Sequence, residues 1–122
     1  MRFTKMQALG NDYIYVNCFE EKVEDPAALA RRLSRRRFSV GADGVILILP
    51  SDRAHARMEV YNADGSRAQM CGNGIRCVGK FVYERQIACY NPLEIETDSG
   101  ILRLELELEE GRVGRVRVEM GQ

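Results

Sequence analysis

The chain predicts an α/β (α+β) fold: a mixed, mostly antiparallel sheet curled and wrapped around a central helix. Three observations lead there. Most segments alternate apolar and polar residues with period two, the mark of strands that bury one face. Helical patterning is confined to two stretches. One of them, headed by Cys71, is apolar around much of its surface, with Ile75, Val78, Phe81 and Val82 and small Gly74, Cys77 and Gly79 between them. A helix so lightly charged belongs inside a sheet, not on one face of it.

Residues 2–9 and 13–18 read as strands on either side of Gly10-Asn11-Asp12, a three-residue hairpin connection. Asp25 has the character of an N-cap and Pro26 of a first helical residue. The helix over 27–37 then places Leu29 and Leu33 four apart on one face. Arg31, Arg32, Arg35, Arg36 and Arg37 on that helix invite a nucleic-acid reading. With no interleaved aromatics they fit a solvated face better, the late ones complementing the C-terminal dipole.

After Gly41-Ala42-Asp43-Gly44 comes an unbroken apolar run over 45–49, bounded by Pro50, which is a buried strand. An alternating strand over 56–61 leads through an Asp64-Gly65 turn to the helix headed by Cys71. The last third is a hairpin. Leu102, Leu104, Leu106 and Leu108 alternate with Arg103, Glu105, Glu107 and Glu109. Glu110-Gly111 then turns into Val116, Val118 and Met120, alternating with Arg115, Arg117 and Glu119. Glutamates on one strand face arginines on the other, a favourable cross-strand pattern.

Residues 1–122 suffice for one domain with a real core. Eighteen basic residues balance eighteen acidic ones, so no overall field recruits nucleic acid or an anionic membrane. The N-terminus lacks the apolar core of a signal peptide, and residues 45–50 are too few to span a bilayer. A cytoplasmic protein is the expectation. Cys18, Cys71, Cys77 and Cys89 are expected as free thiols. No Cys-x-x-Cys pair occurs and the only histidine, His55, sits in a polar stretch, so neither disulfides nor a metal site are expected.

Cys71 carries the chemistry. A cysteine at a helix threshold meets backbone N–H groups with no intrahelical acceptor and the positive end of the helix dipole. Both favour thiolate over thiol. The same donors can hold a carboxylate, so one segment could bind an acid and present a base to its α-carbon. Gly72 and Gly74 flank Asn73 and leave the backbone open to a small ligand. Cys77 lies six residues on, about 240° around the helix, and is expected in packing. Cys18 shares strand parity with Ile14 and Val16 and reads as core. Cys89 has no role legible in the sequence.

The run from Asn62 to Cys77, NADGSRAQMCGNGIRC, resembles the segment around the first catalytic cysteine of the diaminopimelate epimerase family. So do Phe3-Thr4-Lys5-Met6-Gln7-Ala8-Leu9-Gly10-Asn11-Asp12-Tyr13, Gly41-Ala42-Asp43-Gly44 and Glu96-Thr97-Asp98-Ser99-Gly100, all in the family's order. The resemblance implies one of two pseudo-symmetric domains, residues 1–122, with the active site between this domain and a C-terminal one that the chain lacks. It implies pyridoxal-phosphate-independent epimerisation, with no cofactor, of LL-2,6-diaminopimelate to the meso form. Two thiols, one from each domain, would act on opposite faces of the α-carbon.

On the same resemblance Cys71 is the catalytic thiol of this domain. Asn11 and Asn62 would contact the amino and carboxylate groups at the substrate's distal end. Gly72 and Asn73 would hold the reacting-end carboxylate through main-chain N–H groups. Read without the family, Asn11 and Asn62 are turn residues. Gly44 departs from members that carry a polar, substrate-contacting residue there, since glycine offers backbone alone. The alternatives are a free-standing binding or interaction domain of the same fold, or half of a related amino-acid racemase. A surface built to close on a second domain also leads us to expect self-association of the isolated chain.

Overall fold

A computed structural model describes residues 4–8, 11–33, 44–68 and 72–119. Cys71, helix positions 34–37, Gly41-Ala42-Asp43 and Met120 lie outside the described residues. The described elements are β1 (Thr4–Ala8), β2 (Asn11–Asn17), α1 (Pro26–Leu33), β3 (Gly44–Leu49), β4 (Ala56–Asn62), β5 (Arg67–Ala68), α2 (Gly72–Glu84), β6 (Leu93–Thr97), β7 (Gly100–Glu109) and β8 (Arg112–Glu119).

All the strands join one sheet in the order β1-β2-β3-β4-β6-β7-β8, with β5 on β4. Pairing is antiparallel except at β2–β3 and β4–β6. The end strands β1 and β8 both pack on α2. Two ends of one sheet can touch the same helix only if the sheet curls around it, as the apolar circumference of α2 requires.

Each strand's alternation divides the core in two. Tyr15, Ile46, Met58 and Val60 point inward with Ile75, Val78 and Val82 of α2. Ile14, Val16, Val45 and Leu47 point outward under Leu29 and Ala30 of α1. Strand β3 therefore serves both layers, the physical reason its run is unbroken. Full burial of each large aliphatic side chain contributes about 1.5–3 kcal/mol, so the α2 face is a major part of the fold's stability. At Gly79 the helix approaches β7 closely: a Cβ there would lie 2.7 Å from Leu104 Cδ1.

Helix α1 starts where its cap predicts. Asp25 Oδ1 accepts from the Ala28 amide at 3.1 Å, and Pro26 is the first helical residue. In the β7–β8 hairpin Glu110 (φ 53°) and Gly111 (φ 80°) are both left-handed. A two-residue primed turn demands this. Glu105 faces Arg117 and Glu107 faces Arg115 across it, while a register shift beside Gly114 brings Leu108 opposite Val113.

The first hairpin differs from the expected one. Ala8 pairs with Asn11, so the connection is shorter than three residues, and Asn11 and Asp12 belong to β2 instead of the turn. Strands β5 and β6 are also additions to the sequence reading, and both pair with β4, β5 towards its end and β6 at its start.

Candidate functional site

The strand directions bring Asn11 and Asn62 to one end of the sheet. Tyr13 of β2, Gly44 of β3 and Asn62 of β4 lie side by side in register. Asn11 opens β2, two residues before Tyr13, and Asn62 closes β4, so both asparagines mark the same end. Ala68 of β5 pairs with Val60 near that end. Gly72, the first residue of α2, follows four residues later, which keeps it within about 14 Å of Ala68. The chain therefore keeps the helix start within that reach of β5.

Helix α2 begins at Gly72, immediately after Cys71 in the chain. The first amides of the helix have no intrahelical acceptor and face the positive end of the dipole. Cys71 itself lies outside the described residues, as do the side chains of Asn11 and Asn73. Gly44 has a packing reason to be glycine: a Cβ there would overlap the Tyr61 carbonyl oxygen and lie 3.0 Å from the Tyr13 ring. A larger residue at this place needs the β4 backbone to move.

Asn62 heads a tightly closed corner. Its amide donates to the Ser66 carbonyl at 2.8 Å, and the Gly65 amide donates back to the Asn62 carbonyl at 2.9 Å. Asp64 Oδ1 accepts from the Ser66 hydroxyl at 2.6 Å and from the Ser66 amide at 2.9 Å. The Asn62 Nδ2 group donates to Ser66 Oγ at 3.0 Å. The Ser66 hydroxyl and then its amide, with Arg31 nearby, hold the Asp64 carboxyl below its ordinary value. Gly65 is buried with φ 91°, and a Cβ would fall 2.5 Å from Arg31 Nη1 and 3.0 Å from the Ala27 carbonyl. The corner is seated on α1, which explains both the glycine and one of the helix arginines. Ser66 was not singled out in the sequence; the Asn-x-Asp-x-Ser spacing was the signal available.

Beyond the corner, a charged network joins β4, β5 and the β6–β7 turn. Arg67 Nη2 meets Asp98 Oδ1 at 2.8 Å and Glu59 Oε2 at 3.5 Å, and its guanidinium lies 5.2 Å from the Tyr61 ring centroid. Buried Glu96 accepts from the Ser51 hydroxyl at 2.7 Å and pairs with Arg57 at 3.5 Å. Burial, then Glu59, raises the Tyr61 pKa. The segment Glu96-Thr97-Asp98-Ser99-Gly100 therefore acts as a strand end and turn that ties these elements together.

The three described thiols have different surroundings. Cys18 is half-buried against the outer core, and burial, Glu59 and Glu21 push its thiol up to about 11. Cys77 packs on the inner core and borders a groove between α2 and β8 with Lys80 and Val116. Cys89 is exposed, its thiol 3.7 Å from the Tyr83 carbonyl. Among the described residues no His, Cys, Asp and Glu group is arranged to hold a metal.

Comparison with known proteins adds the family context. The family described as diaminopimelate epimerase matches residues 3–122. Diaminopimelate epimerase of Acetivibrio thermocellus is 54% identical over the whole chain, which spans 44% of that protein. Its counterpart in Agathobacter rectalis is also 54% identical over the whole chain, here 43% of the relative. The chain thus spans less than half the length of these relatives. Among solved structures, a hydroxyproline epimerase from Agrobacterium vitis shares the fold with a TM-score of 0.69 at 19% identity, covering 97% of this chain and 40% of that one.

Proposed function

The chain belongs to the diaminopimelate epimerase family, and from that premise we propose that residues 1–122 are the N-terminal domain of a cofactor-independent enzyme that converts LL-2,6-diaminopimelate to the meso form. The reaction would serve lysine and peptidoglycan precursor synthesis in the cytoplasm. Among the described residues no helix is long and apolar enough to cross a membrane. The observation that carries the reading is that Asn11 and Asn62 mark one end of the sheet, with only three residues between β5 and α2, within a chain that the family matches almost from end to end.

In this reading the Cys71 thiolate removes the α-proton, leaving the C–H electron pair on carbon. A thiol from the second domain delivers its proton to the opposite face, and the centre inverts. Two opposed acids and bases suit the task, because one base returns its proton to the face it came from. Amides at the start of α2, Gly72 and Asn73 included, hold the substrate carboxylate and stabilise the carbanion's charge. Asn11 and Asn62 bind the distal end. Closing the second domain over the substrate excludes water and strengthens each of these interactions.

The test is turnover of LL-diaminopimelate by the intact protein and by the 122-residue chain alone. The intact protein should form the meso isomer, and the lone chain should not. Adding a separately expressed C-terminal domain should restore part of the activity. Robust inversion by the lone chain would contradict the two-domain mechanism.

A further inference from the structure

The sheet has one narrow joint. Among the described residues β1 to β4 form one half and β6 to β8 the other, and the halves meet in the sheet through β4 and β6. Their parallel ladder has two registered pairs, Ala56 with Ile95 and Arg57 with Glu96. His55, the chain's one histidine, stands immediately before Ala56 and lengthens that ladder. Its amide donates to the Glu94 carbonyl at 3.0 Å, and the Glu94 amide donates back to the imidazole Nδ1 at 2.9 Å. A side-chain nitrogen thus takes the place of a backbone carbonyl. The donated hydrogen needs a lone pair, so Nδ1 is unprotonated and the neutral ring carries its proton on Nε2. The Tyr90 ring lies within 3° of parallel to the imidazole, their centroids 4.0 Å apart.

We infer that His55 is a proton-sensitive latch on the joint between the two halves of the sheet, closed while the imidazole is neutral and released when it is protonated. The inference is independent of the epimerase reading. An imidazolium carries N–H on both nitrogens and accepts nothing. Protonation therefore sets two donors against each other and strips the half-buried Glu94 amide of its partner. Tyr90 is not the sensor, because an aromatic face attracts an imidazolium as well as it stacks on an imidazole. The charged groups about the joint are Asp52 and Arg53 before His55, Arg57 after it, and Glu94 and Glu96 across the ladder. Arg53 and Arg57 both reach Glu96, at 3.6 and 3.5 Å, and Glu94 pairs in register with Arg103 of β7. Since the folded joint uses the neutral ring, it is tightest in mild alkali. It loosens as pH falls from about 8 to about 5, the range over which imidazoles change charge.

The experiment is amide hydrogen exchange on the intact protein at about pH 8 and about pH 5, each rate referred to the unstructured rate at the same pH. Protection of the Glu94 amide should fall about tenfold in acid, the scale of one hydrogen bond to a buried donor, while β3 stays protected. His55→Asn sets an amide oxygen near the place of Nδ1 and cannot titrate, so its Glu94 protection should be equal at both pH values. His55→Gln sets its polar group near the place of Nε2, and Glu94 should be poorly protected at both. Nitrogen NMR of labelled histidine in the wild-type protein needs no variant: at about pH 8 Nδ1 should be the unprotonated nitrogen.

Equal wild-type protection of Glu94 at both pH values would overturn the inference, as would a ring protonated on Nδ1. A fall in His55→Asn as large as in wild type would also overturn it, by assigning the acid response to the Glu94 and Glu96 carboxylates. None of these results touches the epimerase reading, which the turnover assay tests separately.

Discussion

Arg67 and Asp98 meet at 2.8 Å although 31 residues separate them in the chain. The contact fastens β5, a two-residue strand with pairing on β4 alone, to the β6–β7 turn. A strand so short gains little from its ladder. Its position depends on the Arg67 side chain, which also reaches Glu59 and covers Tyr61. Residues 69–71 are all that separate β5 from α2, so whatever fixes Arg67 also limits where the helix start can lie.

Replacing Arg67 with Ala should therefore loosen β5 selectively. The partly exposed ion pair is worth about 1 kcal/mol, so amide hydrogen exchange in β5 should quicken several-fold while β3 exchanges as before. Uniform acceleration across the sheet would show that the clamp is global and not local.

Gly79→Ala tests the curl of the sheet around α2. Alanine is the better helix former by about 1 kcal/mol, yet its Cβ would stand 2.7 Å from Leu104 Cδ1, in a side chain with no exposure. Overpacking of this kind costs about 1–3 kcal/mol, so a net loss is expected in urea unfolding. A variant more stable than the parent would mean that β7 yields easily and that the enclosure of α2 is loose.

Cys18 supplies a pH test. Its folded-state value of about 11 lies above the ordinary 9.0, so the native state holds the thiol proton more tightly than the unfolded chain does. The stability this contributes is intact below about pH 9 and is lost as pH rises through about 11. Cys18→Ala should flatten the fall in stability between these values. An unchanged alkaline profile, or ready alkylation of Cys18 at neutral pH, would contradict the burial and the neighbouring carboxylates as its cause.

The parts of this fold that were legible in the sequence are those whose pattern is local. The unbroken run of β3, the Asp25 cap and the Glu110-Gly111 turn each declare themselves within a few residues. Strands β5 and β6 do not, because two residues or a short parallel contact at Ala56–Ile95 acquire meaning only from a distant partner. The start of β2 was misplaced because asparagine and aspartate favour turns, while here the pairing of Asn11 with Ala8 overrides that preference. In the candidate site, Asn11, Asn62 and the start of α2 could be named from the motif. Ser66 had only the Asn-x-Asp-x-Ser spacing to mark it, and its bonds to Asp64 and Asn62 exist only once the corner has closed.

The central claim is that Cys71 exchanges a proton with the substrate's α-carbon. The most direct measurement is proton–deuterium exchange at that carbon when the intact protein acts on diaminopimelate in D₂O, since it registers abstraction even where inversion fails. Wild-type protein should exchange the α-proton. Cys71→Ala should abolish inversion and abstraction on the face Cys71 serves, while Cys77→Ala should retain most of both. Undiminished inversion by Cys71→Ala would contradict the assignment.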